Sequence, residues 1–218
     1  MATAASAEIL LAALRRDGRT RKFQRGQALF TEGDRAERVF LIERGWVTVT
    51  CVAPGGREIV LGLRGPGDML GELSALDSEP RSATAVAVSE VEVVVVSGSA
   101  LERALDDVQA SRELIRMLAG RLRDADRKRL EFAALDTLGR VAWRLLELSE
   151  RFGHKTADGI SVDLPLSQEQ IAGWCGASRE STVKALSSLR TLGCITTGRR
   201  RVVIRDLTAL RRHAGGSA

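Results

Sequence analysis

The 218-residue sequence predicts an α+β chain in which a β-roll or barrel is followed by a long helix and then a small helical domain closed by a hairpin. Three observations predict it. Short β-branched runs alternate with glycine turns between Lys22 and Val96. From Ser99 the residues change to a proline-free helical composition. After residue 160 two capping signals frame a pair of short helices.

The segments QALFTEGD, VFLIERGWVTVT, REIVLGLRGPGD and SATAVAVSEVEVVVV read as strands separated by turns. Val47, Val49 and Cys51 alternate with Thr48 and Thr50, the pattern of a strand with one buried face. Residues 100–133 predict one or two helices, the second long. In it Ile115, Leu118, Leu122, Ala125, Arg129 and Phe132 follow the seam spacing of a coiled coil, so a homodimer through this helix is expected, with Arg129 interrupting the seam. A helix packed on its own roll is the alternative. Asp136 can cap a new helix that turns Leu138, Val141, Leu145 and Leu148 inward, which puts a boundary at Leu135 and Asp136. The expected divisions are residues 1–106, 107–135 and 136–218. GHKTADG reads as a loop.

Composition limits the chemistry. The net charge of +5 is carried from residue 160 onward, where nine Lys and Arg face four Asp and Glu, and a nucleic-acid partner is the first expectation. Cys51, Cys175 and Cys194 are too far apart for a zinc or redox pair and are expected to be reduced, buried thiols. His154 falls in a polar loop and His213 in a basic tail, which leaves little for a metal, haem or acid–base site. An enzyme is therefore not expected. MATAASAEILLAALRR has no basic leader and no stretch nears spanning length, so a cytoplasmic chain without a membrane partner is expected.

In LSQEQIAGWCGASRESTVKALSSLRTLG, Ser167 and Gln170 form a capping box and Ser178 caps a second helix. Ala172 permits a close crossing and Gly176 a tight turn, the spacing of a helix-turn-helix. Val183, Leu186 and Leu189 are expected in the core. Ser167, Gln168 and Ser178 lie at the helix starts facing DNA. On the second helix Arg179 can pair with guanine, Glu180 can accept from cytosine, and Lys184 can reach a guanine or a phosphate. In ITTGRRRVVI, Arg199, Arg200 and Arg201 sit at a hairpin tip, where a wing would touch phosphates; Arg199 and Arg200 are the expected contacts.

With FTEGD (30–34), LIERGWV (41–47), PGDMLGEL (66–73), PRSATA (80–85), GRLRDADRKRLEFAALDTLGRVA (120–142) and ASREST (177–182) in this order, the chain resembles the cyclic-AMP receptor protein/FNR family of bacterial transcription regulators. The resemblance implies a cyclic-nucleotide-binding jelly roll, a long dimerisation helix and a winged helix-turn-helix. It makes residues 71–85 a phosphate-binding cassette, with Glu72 on the ribose 2′-hydroxyl and Arg81 on the cyclic phosphate. Gly71, Leu73, Ser82, Ala83 and Arg121 complete the site. It also implies a TGTGA-like palindromic operator and contact with RNA polymerase.

Cyclic-AMP-type members carry threonine and then serine or asparagine where this chain has Ala125 and Asp126. Asp126 either accepts from the base, which suits guanine and brings cyclic GMP beside cyclic AMP, or is solvated and paired along the helix. Lys184 stands where such members carry arginine. A family member without ligand dependence is the alternative regulator. An iron–sulfur or haem sensor, a phosphodiesterase and a protein-binding scaffold are less consistent with these residues.

Overall fold

Successive side chains of a strand point to opposite faces, so a strand buried at every position needs cover on both sides. Over their apolar runs the strands β3 (Arg38–Arg44) and β8 (Val91–Ser97) approach this, with Arg38, Arg44 and Ser97 exposed at their ends. Val39, Leu41, Val94 and Val96 join one core with Leu10, Leu14, Leu101, Leu114 and Met117. Phe40, Ile42, Val91 and Val93 join another with Phe23, Val47, Leu70 and Ala85. This double burial is why the VFLI and VVVV runs show no alternation in the sequence.

The computed structural model describes residues 8–35, 37–163, 166–198 and 200–215, in two units: Met1–Val52 with Leu61–Asp126, and Ala53–Val60 with Arg127–Ala218. The first unit begins with α1 (Glu8–Asp17). The remaining strands of the roll are β1 (Arg19–Phe23), β2 (Ala28–Phe30), β4 (Val47–Val52), β5 (Glu58–Arg64), β6 (Met69–Leu70) and β7 (Thr84–Ala87), with the short helix α2 (Glu72–Asp77) between β6 and β7. The strands form two sheets, ordered β1-β8-β3-β6 and β2-β7-β4-β5, whose inner faces share the second core. Against the outer face of the first sheet pack α1, α3 (Gly98–Leu105) and the first part of α4 (Val108–Ala134). The Glu113 carboxylate of α4 accepts from the backbone N–H of Leu10 at 2.8 Å and Ile9 at 3.4 Å, satisfying two orphan donors at the start of α1. With 27 residues, α4 is roughly 40 Å long.

In the second unit Asp136 caps α5 (Thr137–Phe152) by accepting from Gly139 N–H at 2.8 Å, as the sequence predicts. Next come β9 (Gly153–Thr156), β10 (Gly159–Asp163), α6 (Gln168–Cys175), α7 (Arg179–Thr191), β11 (Ile195–Gly198), β12 (Arg201–Ile204) and α8 (Leu207–His213). The sheet runs β11-β12-β10-β9. Val141, Leu145, Leu148, Ile171, Trp174, Leu189, Ile204 and Leu210 are buried. No helix among the described residues is long and apolar enough to cross a membrane.

Several expectations are corrected. GHKTADG is the turn and first strand of the β9–β10 hairpin, with His154 opposite Ser161, and His213 closes α8. Neither strand has a β-branched alternation long enough to reveal it. Val47 is buried and Val49 packs against the second core, as the alternation predicts, but Thr48 and Thr50 are buried too and Cys51 is only half-buried; Thr48 Oγ1 donates to Val86 C=O at 3.3 Å, which makes its burial tolerable. On α7 the inward residues are Thr182, Ala185 and Leu189, and Val183 is 43% exposed. The small Thr182 faces inward because its hydroxyl bonds back to Ser178 C=O at 3.0 Å.

Candidate functional site

Residues 69–83 form a connection whose conformation is set by glycine and by one buried arginine. Gly71 has φ 79° and precedes α2; a Cβ there would lie 2.3 Å from Arg81 Nη1, so both its backbone and its neighbour exclude a side chain. Arg81 is 4% exposed. Its Nη1 donates to Gly71 C=O at 2.7 Å, its Nη2 donates to Arg38 C=O, and its guanidinium lies 4.5 Å from the Phe30 ring centroid. Its backbone exchanges hydrogen bonds with the 31–34 turn, through Asp34 C=O and Gly33 N–H. Burial pushes the Arg81 pKa down, opposed by the charges of Glu72 and Asp34.

Glu72 opens α2 and is 2% exposed. Its Oε1 accepts from Nη1 of Arg121 on α4, and Arg121 Nη2 donates to Met69 C=O. Taken by residue type alone, Glu72 and Arg81 would read as a surface ion pair. Instead both are buried, and the carboxylate is bonded to Arg121, forty-nine positions away in the sequence. Among the described residues four buried side-chain atoms have no hydrogen-bond partner: Arg144 Nε, Trp174 Nε1 and, in this connection, Glu72 Oε2 and Arg81 Nε. Of these last two, one can accept and the other can donate, and leaving such atoms unpaired costs ~1–3 kcal/mol each. Ala83 is buried, Leu73 and Ser82 are exposed, and Ala125 and Asp126 lie exposed on α4, one turn beyond Arg121.

The second constellation is the α6–α7 pair. Ser167 and Gln170 form the reciprocal capping box, at 3.1 and 2.9 Å. Gly176 ends α6 at φ 59° and Ser178 caps α7 through Ser181 N–H at 3.1 Å. Gln168, Ser178, Arg179, Glu180 and Lys184 are exposed, with Glu180 and Lys184 paired at 2.7 Å. Arg200 occupies the hairpin turn at φ 55°, a conformation costly for a side chain other than glycine, and Arg199 lies outside the described residues. Arg201 Nε donates to the buried Ser161 Oγ at 2.7 Å, which fixes the strand carrying the turn.

Phe30, the Arg38 carbonyl, the Met69 carbonyl and Ser161 escape a reading by residue type, because three of them act through position rather than through a reactive side chain. FTEGD is the one signal that pointed to Phe30. Among the described residues no group of His, Cys, Asp and Glu could hold a metal ion.

Comparison with known proteins follows this division. Residues 20–107 match a cyclic nucleotide-binding domain and residues 139–213 a Crp-like helix-turn-helix domain. The chain is 38% identical over 205 residues to a CRP-like cAMP-activated global transcriptional regulator of Mycobacterium tuberculosis, covering 94% of this chain and 92% of the relative. It is 32% identical to the cyclic AMP receptor protein of Thermus thermophilus, covering 91% and 89%. The structure of FixK2 from Bradyrhizobium japonicum superposes with a TM-score of 0.80 at 30% identity, covering 92% of this chain and 99% of that one.

Proposed function

Since this chain belongs to the Crp/Fnr family of transcription regulators, with a cyclic nucleotide-binding domain and a DNA-binding helix-turn-helix, we propose that it is a homodimer whose operator binding is controlled by cyclic AMP. The observation that carries the ligand reading is the pair of unpartnered buried atoms, Glu72 Oε2 and Arg81 Nε. Bound there, the nucleotide supplies a ribose hydroxyl donor and a phosphate monoanion. A carboxylate only accepts and so selects the hydroxyl; a guanidinium suits the phosphate. Gly71, Leu73, Ser82 and Ala83 give the ligand a path of close backbone approach, and Arg121 holds the Glu72 carboxylate from α4.

A second reading concerns the base. Asp126 on α4 is an acceptor and suits the N1–H and N2–H₂ of guanine, so cyclic GMP competes with cyclic AMP for the assignment. Isothermal titration with both nucleotides tests the ligand proposal. It predicts that one binds, that Glu72→Gln and Arg81→Lys weaken it by about 10-fold to 100-fold, and that Asp126→Ala changes the preference between the two. Failure of both nucleotides to bind contradicts it.

For DNA, Arg179, Glu180 and Lys184 reach base edges while Ser167, Gln168, Ser178, Arg199 and Arg200 meet the backbone. Breaking the Glu180–Lys184 pair on docking frees both for their bases. The expected operator is a TGTGA-like half-site repeated about 34 Å apart along one face, with RNA polymerase as the partner at the promoter and the cytoplasm as the site of action. A binding-site selection that returns a non-palindromic sequence contradicts this operator.

A further inference from the structure

One apolar side chain of α7 stands outside its buried set. Thr182, Ala185 and Leu189 turn into the core, whereas Val183 is 43% exposed. A helix turns by about 100° per residue, so Thr182, Ala185 and Leu189 fall within about 60° of one another on the inward side. On the outward side Arg179, Val183, Ser187, Glu180 and Lys184 follow in that order around the helix, over about 140°. Arg179, Glu180, Val183 and Lys184 are all exposed. Val183 is thus an apolar side chain set between Arg179 and Glu180. The Glu180 and Lys184 side chains pair at 2.7 Å along one edge of this face, which leaves Val183 beside Arg179 on the other.

Valine at this place does little for the stability of the chain itself. Branching at Cβ restricts χ1 in a helix and ranks valine below alanine and lysine as a helix former. A single exposed apolar residue is ordinary on a protein surface, but this one is flanked by residue types that meet base edges from a recognition helix. The major-groove edges of the bases present donors, acceptors and one apolar group, the C5-methyl of thymine. Arg179 and Lys184 are donors and Glu180 is an acceptor, so on this stretch of the face the methyl has its complement in Val183. Arg179 and Val183 are four residues apart, about 6 Å along the axis, and base pairs are stacked about 3.4 Å apart. A thymine touched by Val183 therefore lies within about two base pairs of the guanine taken by Arg179.

We propose that Val183 is a specificity-determining residue that reads a thymine methyl group close to that guanine. The assignment rests on the DNA reading given above and adds to it one base pair chosen by apolar contact instead of by hydrogen bonding. A TGTGA half-site offers a thymine on each side of its first guanine and another opposite its adenine.

Replacing the thymines of a selected operator one at a time by uracil tests this, because uracil keeps every hydrogen-bonding group of thymine and lacks only the methyl. Affinity is read by fluorescence anisotropy at fixed salt, on the full chain with saturating cyclic AMP, for the wild type, Val183→Ala and Val183→Ile. One thymine position per half-site should respond. Uracil there should weaken wild-type binding about 4-fold in one half-site and about 16-fold in both, the worth of one buried methyl group per site. Val183→Ala should bind the thymine operator about as weakly as the wild type binds the uracil one, and should lose less than about 2-fold more on replacement. Val183→Ile, which keeps the apolar contact, should remain sensitive. Thermal unfolding of Val183→Ala should match or exceed that of the wild type, which separates lost reading from lost folding. A wild type indifferent to uracil at every position, or a Val183→Ala variant that keeps the full loss, overturns the proposal. A selection that returns no specific duplex removes the DNA reading itself, whereas indifference to uracil on a specific operator removes only the role of Val183.

Discussion

Arg81 shows what a residue-scale reading can and cannot reach. Its type and its place in PRSATA mark it for an anion, yet nothing in the sequence reveals that it braces Gly71 and Arg38 and leaves Nε without a partner. Gly71→Ala should therefore cost about 1–3 kcal/mol of stability through its left-handed backbone and, by displacing Arg81, weaken nucleotide binding; denaturation and titration of the same sample check both. Glu113 was invisible because its partners lie about a hundred residues away. Glu113→Gln should cost about 1–2 kcal/mol in urea unfolding, and no change would show that α1 needs no cap. Burial pushes the Cys175 thiol up to about 12, so at pH 8 only about 1 in 10⁴ is thiolate, the reactive form. A thiol reagent at that pH should label half-buried Cys51 first and reach Cys175 only on unfolding.

At the scale of elements, legibility followed burial. Most strands of the roll and the helices α4 to α7 carry apolar periodicity or caps and were readable. The first strand β1 is RTRKF with four exposed residues, and β9 is GHKT, so neither presents an apolar face to recognise. The register of the wing sheet depends on pairing β10 with β12, a contact between segments about forty residues apart. Of the α4 seam read by spacing, Ile115 and Leu122 are 64% and 62% exposed in the single chain, while Leu118 packs against the roll. Leu122→Asp should shift the protein toward monomer in sedimentation, and an unchanged dimer would remove this face from the interface. Arg200→Ala should lower the slope of log operator affinity against log salt by about 1 unit, the signature of one lost phosphate contact.

For the whole molecule, the sequence order of motifs was enough to identify a cyclic nucleotide-binding roll, a long helix and a helix-turn-helix domain, but not the long-range pairs that hold the long helix. The buried Glu131–Arg144 pair has no local pattern, since it joins the end of one helix to the middle of the next. Coupling between the units has a thermodynamic limit: the ligand shifts DNA binding only by its differential affinity for the DNA-competent state. The most direct measurement is operator affinity by fluorescence anisotropy at fixed salt, with and without saturating cyclic AMP, paired with cyclic AMP affinity on free and operator-bound protein. A regulator gated by cyclic AMP should bind its operator about 5-fold to 150-fold more tightly with the nucleotide, and operator should tighten the nucleotide by the same factor. Equal operator affinity in both conditions would contradict the account and leave a regulator that reads DNA without this signal.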